Sequence, residues 1–557
     1  MTATKKFMAA RQFLLSNRDN YEKAYKEFRW PDLSEFNWAR DWFDVYAQGN
    51  DKTALWLRSE DKGELKFSYQ DLAERSDRMA HFLQRQGVEP GDRIVLCLPN
   101  VSAIWELILS AIKVGAVVVP TTTLATESEI RDRLERSGAR LVVTDENAMP
   151  RIPLDAELKR ILVGGRSDGW TPCDVALEES RKYKVIATQA SDPFLLYFTS
   201  GTTAQSKLVL HTHQSYPVGH LSTMYWIGIQ EDDIHQNISS PGWAKHAWSC
   251  VFAPWNAGAT TFVHDAPRFK PANALRALQE VGVTTLCAPP TVWRMLIRDD
   301  LGAKPHGLRE LASAGEPLNP EVIELVEKAW GLLIRDGYGQ TETTAMIGNS
   351  PGQAVKNGSM GRPLPGYQVA IVDLNDKECS EGEVAMKLEP RPTGLMTGYM
   401  DDPDRTHAAM LNGLYHTGDQ AFVDNSGYFY FVGRGDDVFK SSDYRISPFE
   451  LESALMEHPL VAEVAIVPSS DAIRTNVPKA FVTLVVDVQP SEQTAREILI
   501  FAKEKLAAYK RVRKLEFSEL PKTISGKIRR AELRKMEAQR VNEGQRGALE
   551  FWLKDFE

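Results

Sequence analysis

Buried strands alternate with helices between Phe67 and Asp145, and this alternation limits the fold more than any other feature of the sequence. The apolar strands "DRIVLCLPN", "AVVVPTT" and "ARLVVTD" are separated by segments with apolar residues at helical spacing, such as "VSAIWELILSAIKVG". This pattern is typical of a mainly parallel sheet that is covered by helices. After Ser191 the alternation resumes, and there "PFLLYFT" and "KLVLHTH" have the form of two hairpin strands.

Further along the chain the pattern changes twice. From Gly361 short strands with turn residues predict a β-rich subdomain, and after "GRGDD" (433–437) a smaller α+β unit begins. We therefore predict an α/β fold with two domains. The large N-terminal domain, residues 1–435, contains two helix-covered sheets and the β-rich subdomain. The small, mobile α+β C-terminal domain covers residues 436–557, and 557 residues are ample for both.

The composition excludes several classes of protein. A net charge of −9 argues against a nucleic-acid-binding protein. No apolar run reaches the roughly 18 residues that a membrane helix needs. Five scattered cysteines without a CxxC pair indicate reduced thiols. We predict a cytoplasmic protein with neither a nucleic-acid nor a membrane partner. The first acidic residue is Asp19, which leaves a mitochondrial presequence as the alternative.

The stretch "TSGTTAQSK", Thr199 to Lys207, is suited to binding phosphate. Hydroxyls and backbone N–H groups in a loop between two strands donate to phosphate oxygens, and Lys207 adds a positive charge. It is not a P-loop, because Leu208 follows the lysine. Taken alone, a polar surface turn explains the stretch about as well.

Five later segments carry chemistry that complements this loop. "SAGEPL" is a glycine turn after a strand, and "DGYGQTET" offers a ring to stack on a base and an acid, Glu342, suited to Mg²⁺. "YHTGD" ends in Asp419, a carboxylate suited to ribose hydroxyls. "GRGDDVFK" supplies Arg434, and "PKTISGKIRR" presents Lys527 in a Ser-Gly turn.

In this order, the six segments resemble the adenylate-forming superfamily of acyl-CoA synthetases, luciferases and peptide-synthetase adenylation domains. The resemblance runs from about Phe67 to Arg540 and is greatest to short- and medium-chain acyl-CoA synthetases. It implies an AMP-forming acid–CoA ligase that uses ATP, Mg²⁺ and coenzyme A. A carboxylate would attack the α-phosphorus and release pyrophosphate, and CoA would then displace AMP.

The resemblance also implies roles for individual residues. Lys527, Thr341, Glu342 and Lys207 would act in catalysis, with Glu342 holding Mg²⁺. ATP and AMP would be bound by Thr199, Ser200, Gly201, Thr202, Thr203, Lys207, Gly315, Glu316, Pro317, Asp336, Gly337, Tyr338, Gly339, Gln340, Thr341, Asp419, Arg434, Arg445 and Lys527. The acyl pocket would include Trp243, His246, Ser313, Ala314 and Gly339. The positions that match CoA contacts are Ser442, Asp443, Tyr444, Arg474, Lys510 and Arg511.

The resemblance further implies that the domain boundary takes part in the reaction. The C-terminal domain would rotate at Asp436, bringing Lys527 in for adenylation and swinging it away for the thioester step. Three positions depart from the family pattern, since Ala204, Asp443 and Ser447 stand where relatives have glycine. A carboxylate at position 443 would repel the phosphates of CoA, which puts the CoA contacts there in doubt.

The identity of the acid is predicted only by class. Acetyl-CoA synthetases tend to have a tryptophan where this chain has Gly339, so a short- to medium-chain, branched or aromatic acid fits better than acetate. Lys245 could pair with a second carboxylate or point to water. The alternative function is loading of an acid or amino acid onto a carrier protein. We also expect a homodimer, and a lysine acetyltransferase and deacetylase acting on Lys527.

Overall fold

The computed structural model describes residues 1–61, 63–155, 157–199, 206–266, 268–435, 437–441, 444–471, 474–523 and 527–556. The chain divides into two compact units. The first unit consists of residues 1–369 and 386–415, and the second consists of residues 370–385 and 416–557. The expected domain boundary between residues 435 and 436 stays a prediction.

The strands of the described chain are numbered in chain order. They are β1 (Thr53–Ser59), β2 (Gly63–Ser68), β3 (Arg93–Cys97), β4 (Val117–Pro120), β5 (Leu141–Asp145), β6 (Lys159–Val163), β7 (Thr171–Pro172), β8 (Pro193–Thr199), β9 (Lys207–Thr212), β10 (Ile234–Asn237), β11 (Thr260–Asp265), β12 (Thr285–Ala288), β13 (Glu310–Ala314), β14 (Ile334–Gly339), β15 (Ala345–Gly348), β16 (Arg362–Pro363), β17 (Val369–Val372), β18 (Glu381–Lys387), β19 (Gly398–Tyr399), β20 (Leu414–Val423), β21 (Phe429–Arg434), β22 (Phe439–Ser441), β23 (Tyr444–Ile446), β24 (Val461–Asp471), β25 (Thr475–Leu484), β26 (Lys514–Phe517) and β27 (Glu550–Trp552).

The α-helices are numbered in the same way. They are α1 (Ala3–Ser16), α2 (Tyr21–Glu27), α3 (Asp44–Ala47), α4 (Tyr69–Arg85), α5 (Ser102–Val114), α6 (Glu127–Ser137), α7 (Leu221–Ile227), α8 (Ala244–Ala247), α9 (Ala253–Ala257), α10 (Pro271–Val281), α11 (Pro290–Ile297), α12 (Pro320–Trp330), α13 (Pro403–Ala409), α14 (Pro448–Met456), α15 (Glu492–Lys505) and α16 (Arg530–Asn542). Helix α4 begins with a capping box between Ser68 and Asp71, which satisfies two N-terminal N–H groups.

Two large sheets form the first unit. One has nine strands in the order β16-β15-β14-β13-β12-β10-β11-β1-β2, and its central strands from β14 to β1 are parallel. The other has eight strands in the order β19-β9-β8-β4-β3-β5-β6-β7. Within it β8 and β9 form the antiparallel hairpin that the sequence predicts. Apolar helices cover these strands, and Trp105 of α5 is fully buried.

The second unit is smaller. The sheet β17-β18-β20-β21 lies largely within it, and a further sheet has the order β24-β25-β26-β27. Strands β25 and β26 are parallel, whereas the other pairs of that sheet are antiparallel. Its core includes Leu451, Ile466, Ile498 and Leu515, which are all fully buried. The predicted fold class, α/β with two helix-covered sheets, a β-rich part and a small α+β part, is confirmed.

None of the helices in the described ranges combines the length and the apolar character that a membrane span requires.

Candidate functional site

The β8–β9 hairpin presents the ends of the predicted phosphate loop. Thr199 ends β8 and Lys207 begins β9, and the two residues lie opposite each other in the ladder. Residues 200–205, which include the predicted contacts Ser200, Gly201, Thr202 and Thr203, lie outside the described residues. The hairpin therefore fixes the positions of Thr199 and Lys207 at the base of the loop.

Lys207 and Glu342 belong to one polar cluster that includes a tyrosine. The hydroxyl of Tyr399 donates to Glu342 Oε1 at 2.9 Å and accepts from Lys207 Nζ at 3.3 Å. The ammonium of Lys207 lies 3.9 Å from Glu342 Oε1. Burial and the neighbouring carboxylate raise the pKa of Tyr399, so the hydroxyl keeps its proton and donates it.

Strand pairing brings Tyr399 to this cluster. The short strand β19 pairs with β9, with Tyr399 opposite Val209. The adjoining Met396 donates its backbone N–H to the carbonyl of Glu342 at 2.8 Å. The phenol is thus held beside the lysine and the carboxylate by backbone bonds on both sides.

The turn between β14 and β15 carries the predicted α-phosphate and Mg²⁺ residues. Its backbone is fixed by a bond from Gln340 N to Thr343 Oγ1 at 2.9 Å, and the side chain of Gln340 accepts from the Tyr415 hydroxyl at 2.8 Å. His211 contacts the carbonyl of Thr341 through Nε2 at 2.8 Å. Burial lowers the pKa of His211 to about 4, so its ring is neutral and Nε2–H is the donor.

The predicted adenine residues surround the carboxyl ends of β13 and β14. Gly315 has φ of +103°, a conformation that favours glycine, in the turn before Glu316 and Pro317. Asp336 is buried and accepts the Gly337 N–H at 3.0 Å, and burial raises its pKa to about 8. Tyr338 is partly buried on the same strand. These residues lie at the edge where α/β sheets commonly bind nucleotides.

The segment of the predicted acyl pocket forms a continuous helix with an unusual centre. Helix α8 passes through a π-helical turn, Trp248–Phe252, into α9. Pro254 has no N–H to donate to the carbonyl of Cys250, and the indole of Trp105 donates to that carbonyl instead, at 2.9 Å. Such turns are frequent at functional sites.

The two faces of this helix meet different surroundings. Trp243 and His246 line an apolar cavity together with Leu96, Ile104, Phe194 and Tyr197. Burial lowers the pKa of His246 to about 3, and its Nε2 contacts Asn100 Oδ1 at 3.2 Å. The lining of this cavity does not include the other predicted acyl residues, Ser313, Ala314 and Gly339.

The opposite face, with Lys245 and Trp248 at i and i+3, meets β13 and β14. The ammonium of Lys245 donates to the carbonyl of Ala314 at 2.9 Å. The ring of Trp248 covers Gly339, where an added Cβ would lie 2.7 Å from Trp248 Cη2 and 2.2 Å from the carbonyl oxygen of Thr344. Ser313 is fully buried.

In the second unit, the two predicted ribose residues are cross-strand neighbours. Asp419 on β20 lies opposite Arg434 on β21. The backbone N–H of Asp419 donates to Thr417 Oγ1 at 3.1 Å, while Gly435 N–H donates to the carbonyl of Gly418 at 2.8 Å. Strand pairing therefore places these two residues opposite each other, and their role in binding ribose stays a prediction.

The predicted CoA residues of the second unit are spread over several elements. Tyr444 is 52% exposed and stacks on Tyr509 with ring centroids 4.4 Å apart. Lys510 pairs with Glu450 at 2.5 Å, and Arg474 donates its backbone N–H to Asp471 at 2.8 Å. Arg511 follows Lys510, and Ser442 and Asp443 lie outside the described residues. Arg445, which is predicted to contact ATP rather than CoA, lies in β23 opposite Lys440.

Three further residues of the second unit carry expectations from the sequence, and two of them lie in the described ranges. Lys527 is exposed, and its backbone N–H donates to Thr523 Oγ1 at 3.1 Å. Asp436, the predicted hinge, lies outside the described residues. Ser447, which departs from the family pattern, is the N-cap of α14, where its Oγ accepts the Glu450 N–H at 3.3 Å. A serine at this position supports the helix start.

Sequence analysis gave no site role to three residues that contact the predicted site, namely Tyr399, His211 and Trp248, and for Lys245 it left a carboxylate partner and water open. The i,i+3 spacing of Lys245 and Trp248 could have indicated a shared helix face. Tyr399 and His211 had no comparable signal, since their contacts with Glu342 and Thr341 join residues that are far apart in the chain.

Two models of known protein domains match most of this chain. Residues 43–400 match the AMP-binding enzyme model, and residues 450–527 match the AMP-binding enzyme C-terminal domain. This chain belongs to the AMP-binding enzyme family. The 4-hydroxybutyrate–CoA ligase 1 of Metallosphaera sedula is 42% identical to it, over 93% of this chain and 94% of that protein. The mitochondrial acyl-coenzyme A synthetase ACSM3 of Mus musculus is 39% identical, over 94% of each chain.

A solved structure gives the same result for the fold. An anthranilate CoA ligase in complex with anthranoyl-AMP superimposes with a TM-score of 0.82 at 26% identity, covering 92% of this chain and 99% of that one. The predicted family is thereby confirmed. So is the predicted class of enzyme, an acid–CoA ligase of the acyl-CoA synthetase type.

Proposed function

We propose that this ligase activates a short- to medium-chain, branched or aromatic carboxylic acid at the site built around Lys207, Tyr399 and Glu342. The acid attacks the α-phosphorus of ATP, which gives acyl-adenylate and pyrophosphate. The thiol of CoA then attacks the acyl carbon, and AMP leaves.

The cluster of Lys207, Tyr399 and Glu342 is the observation that carries this proposal. A carboxylate and ATP are both anionic, so the site must supply positive charge and hold the groups in line. Lys207 stands at the base of the loop between β8 and β9, where it can reach the phosphates that leave as pyrophosphate. The Tyr399 hydroxyl bonds both charged side chains and fixes their positions.

The residues present fit a bound Mg²⁺. Glu342 is 8% exposed, and only its Oε1 accepts the Tyr399 hydroxyl, which leaves Oε2 for a cation. Magnesium sites commonly use one or two carboxylates together with substrate phosphates. Glu342 would hold Mg²⁺, which would neutralise the charge that develops on the leaving phosphates.

The second unit would contribute the remaining residues. Asp419 and Arg434 would hold the ribose, and the exposed Lys527 would reach the α-phosphate during adenylation. The unit would move at Asp436 between the two steps, so that Tyr444 and the nearby basic residues face CoA. The pairing of Lys510 with Glu450 argues that this lysine must exchange partners if it is to contact a CoA phosphate.

The relatives suggest which acids to test first. The names of the related ligases include 4-hydroxybutyrate and anthranilate, a small hydroxy acid and an aromatic acid. In this chain the apolar cavity at Trp243 and His246 supports an acid with a hydrophobic part. A cytoplasmic location, a homodimer and acetylation of Lys527 stay predictions.

The test is a panel of carboxylic acids incubated with ATP, Mg²⁺ and CoA, with AMP, pyrophosphate and acyl-CoA each quantified. We expect AMP and acyl-CoA in equal amounts from at least one acid. Reactions without CoA isolate the adenylation step as acid-dependent exchange of pyrophosphate into ATP. Adenylation without any transfer to CoA would favour the carrier-protein alternative, and no AMP from any acid would contradict the proposed function.

A further inference from the structure

The ammonium of Lys245 lacks the partners that a buried charge needs. Within the described ranges its one hydrogen-bond acceptor is the carbonyl of Ala314, and no carboxylate lies within 4.0 Å of Nζ. An ammonium has three N–H donors, so two of them have no acceptor in the described protein. Burial lowers the pKa of Lys245, because little water is left to solvate the ammonium.

Nearby acidic groups do not supply the acceptors or the negative charge that the Lys245 ammonium lacks. Asp336 has a pKa raised to about 8, so at neutral pH it is mostly uncharged. Glu316 is engaged with Thr291 at 3.2 Å and with Arg294 at 3.5 Å. A partly buried ammonium with unused donors is costly, and a ligand oxygen would relieve that cost.

The position of Lys245 indicates which part of a ligand would reach it. Ala314 pairs with Gly337, and Gly339, which Trp248 covers, follows about 7 Å farther along the strand. Thr341, the predicted α-phosphate contact, comes later still, in the turn after the strand. Trp248 covers Gly339, between the Ala314–Gly337 pair and Thr341, so an acid whose carboxylate meets the α-phosphate at Thr341 would extend past Trp248 toward Lys245.

We propose that Lys245, with Trp248, Ala314 and Gly339, forms a subsite for a second oxygen on the acyl part of the acid, and that this enzyme prefers acids that carry one. The oxygen is a hydroxyl, keto or carboxylate group that accepts from the ammonium. Trp248 packs against the carbon chain between this oxygen and the reacting end. This inference rests on the proposed function, since it concerns the acid that the ligase activates.

The experiment compares matched acids of three to six carbons. Each unsubstituted acid is paired with its terminal hydroxy and carboxy analogues, and kcat/KM for AMP formation is measured for the wild type, Lys245→Met, Lys245→Arg and Lys304→Met. Methionine keeps the length of the side chain without its charge. Lys304 is an exposed lysine of the same unit and serves as the control.

We expect the wild type to prefer an oxygen-bearing acid. In Lys245→Met the ratio of its kcat/KM to that of the unsubstituted partner should fall about 10- to 150-fold, the effect of one hydrogen bond to a charged group. Lys245→Arg should retain part of the ratio, and Lys304→Met all of it. An unchanged ratio in Lys245→Met, or equal losses for both acids of a pair, would overturn the inference.

A binding measurement separates this inference from the proposed function. Stable acyl-sulfamoyl adenosines, which mimic the acyl-adenylate, are titrated by calorimetry as hydroxyacyl and plain acyl pairs. The wild type should bind the hydroxyacyl form more tightly, and Lys245→Met should lose that difference even if no acid of the panel is turned over. Equal affinities of the wild type for both forms would refute the subsite, whatever the turnover assay shows.

Discussion

Replacing Tyr399 by phenylalanine tests the polar cluster directly. The change removes the hydroxyl that donates to Glu342 at 2.9 Å and accepts from Lys207 at 3.3 Å, but it keeps the ring, whose centroid is 5.1 Å from Lys207 Nζ. Glu342 and Lys207 then keep their charges without the group that orients them. We therefore expect a defect in the use of Mg·ATP rather than in folding.

The magnitude follows from the stronger of the two bonds. A hydrogen bond to a charged group contributes about 1.5–3 kcal/mol, which corresponds to roughly 10- to 150-fold in a rate or binding constant. The longer contact with Lys207 adds less. The expected loss is thus about 10- to 150-fold in kcat/KM for Mg·ATP, with a higher Mg²⁺ concentration for half-maximal activity.

The assay is AMP formation at varied ATP and Mg²⁺ with a saturating acid. A matched control is Tyr46→Phe, which removes another tyrosine hydroxyl that donates to a carboxylate, Glu231, at 2.9 Å. This pair lies outside the cluster, so the control should keep its dependence on ATP and Mg²⁺. A Tyr399→Phe enzyme within about threefold of the wild type in both dependences would refute the orienting role of the hydroxyl.

Three further changes test other parts of the proposal. Lys527→Ala should abolish adenylation but spare thioester formation from supplied acyl-adenylate; equal loss of both steps would contradict the rotation model. Asp336→Asn should become more stable to heat, relative to the wild type, as the pH rises from 5 to 9. The pKa of the Asp336 carboxyl, about 8, lies above its value in the unfolded chain, so the bound proton stabilises the wild type at low pH. The wild type loses this stabilisation as the pH rises through that range, whereas asparagine does not titrate. Parallel melting curves of the two proteins across this range would argue against the raised pKa. Gly339→Ala should cost about 1–3 kcal/mol in urea unfolding, since its Cβ would lie 2.2 Å from the Thr344 carbonyl oxygen; an unchanged midpoint would show that this backbone can shift.

The sequence predicts those parts of the fold that depend on local pattern. The alternation of apolar strands and helices identifies the two large sheets, and the strands on either side of the phosphate loop do form a hairpin. The contacts of Tyr399 could not be predicted from local pattern. Its position beside Lys207 and Glu342 depends on the register of the two-residue strand β19 against β9, and no local pattern in "TGYMDD" indicates that pairing.

The segment of the predicted acyl pocket is a second case in which local pattern does not predict the structure. A proline inside a helical pattern usually ends or kinks the helix, so Pro254 argues locally for a break. The chain stays helical because the backbone widens into a π-helical turn. The indole of Trp105, from a distant helix, donates a hydrogen bond to the Cys250 carbonyl. One continuous helix can then present Trp243 and His246 to the apolar cavity while Lys245 and Trp248 face Ala314 and Gly339. In the proposed subsite, the face with Lys245 and Trp248 would meet both the carbon chain and the second oxygen of the acid, and the cavity would lie behind that helix.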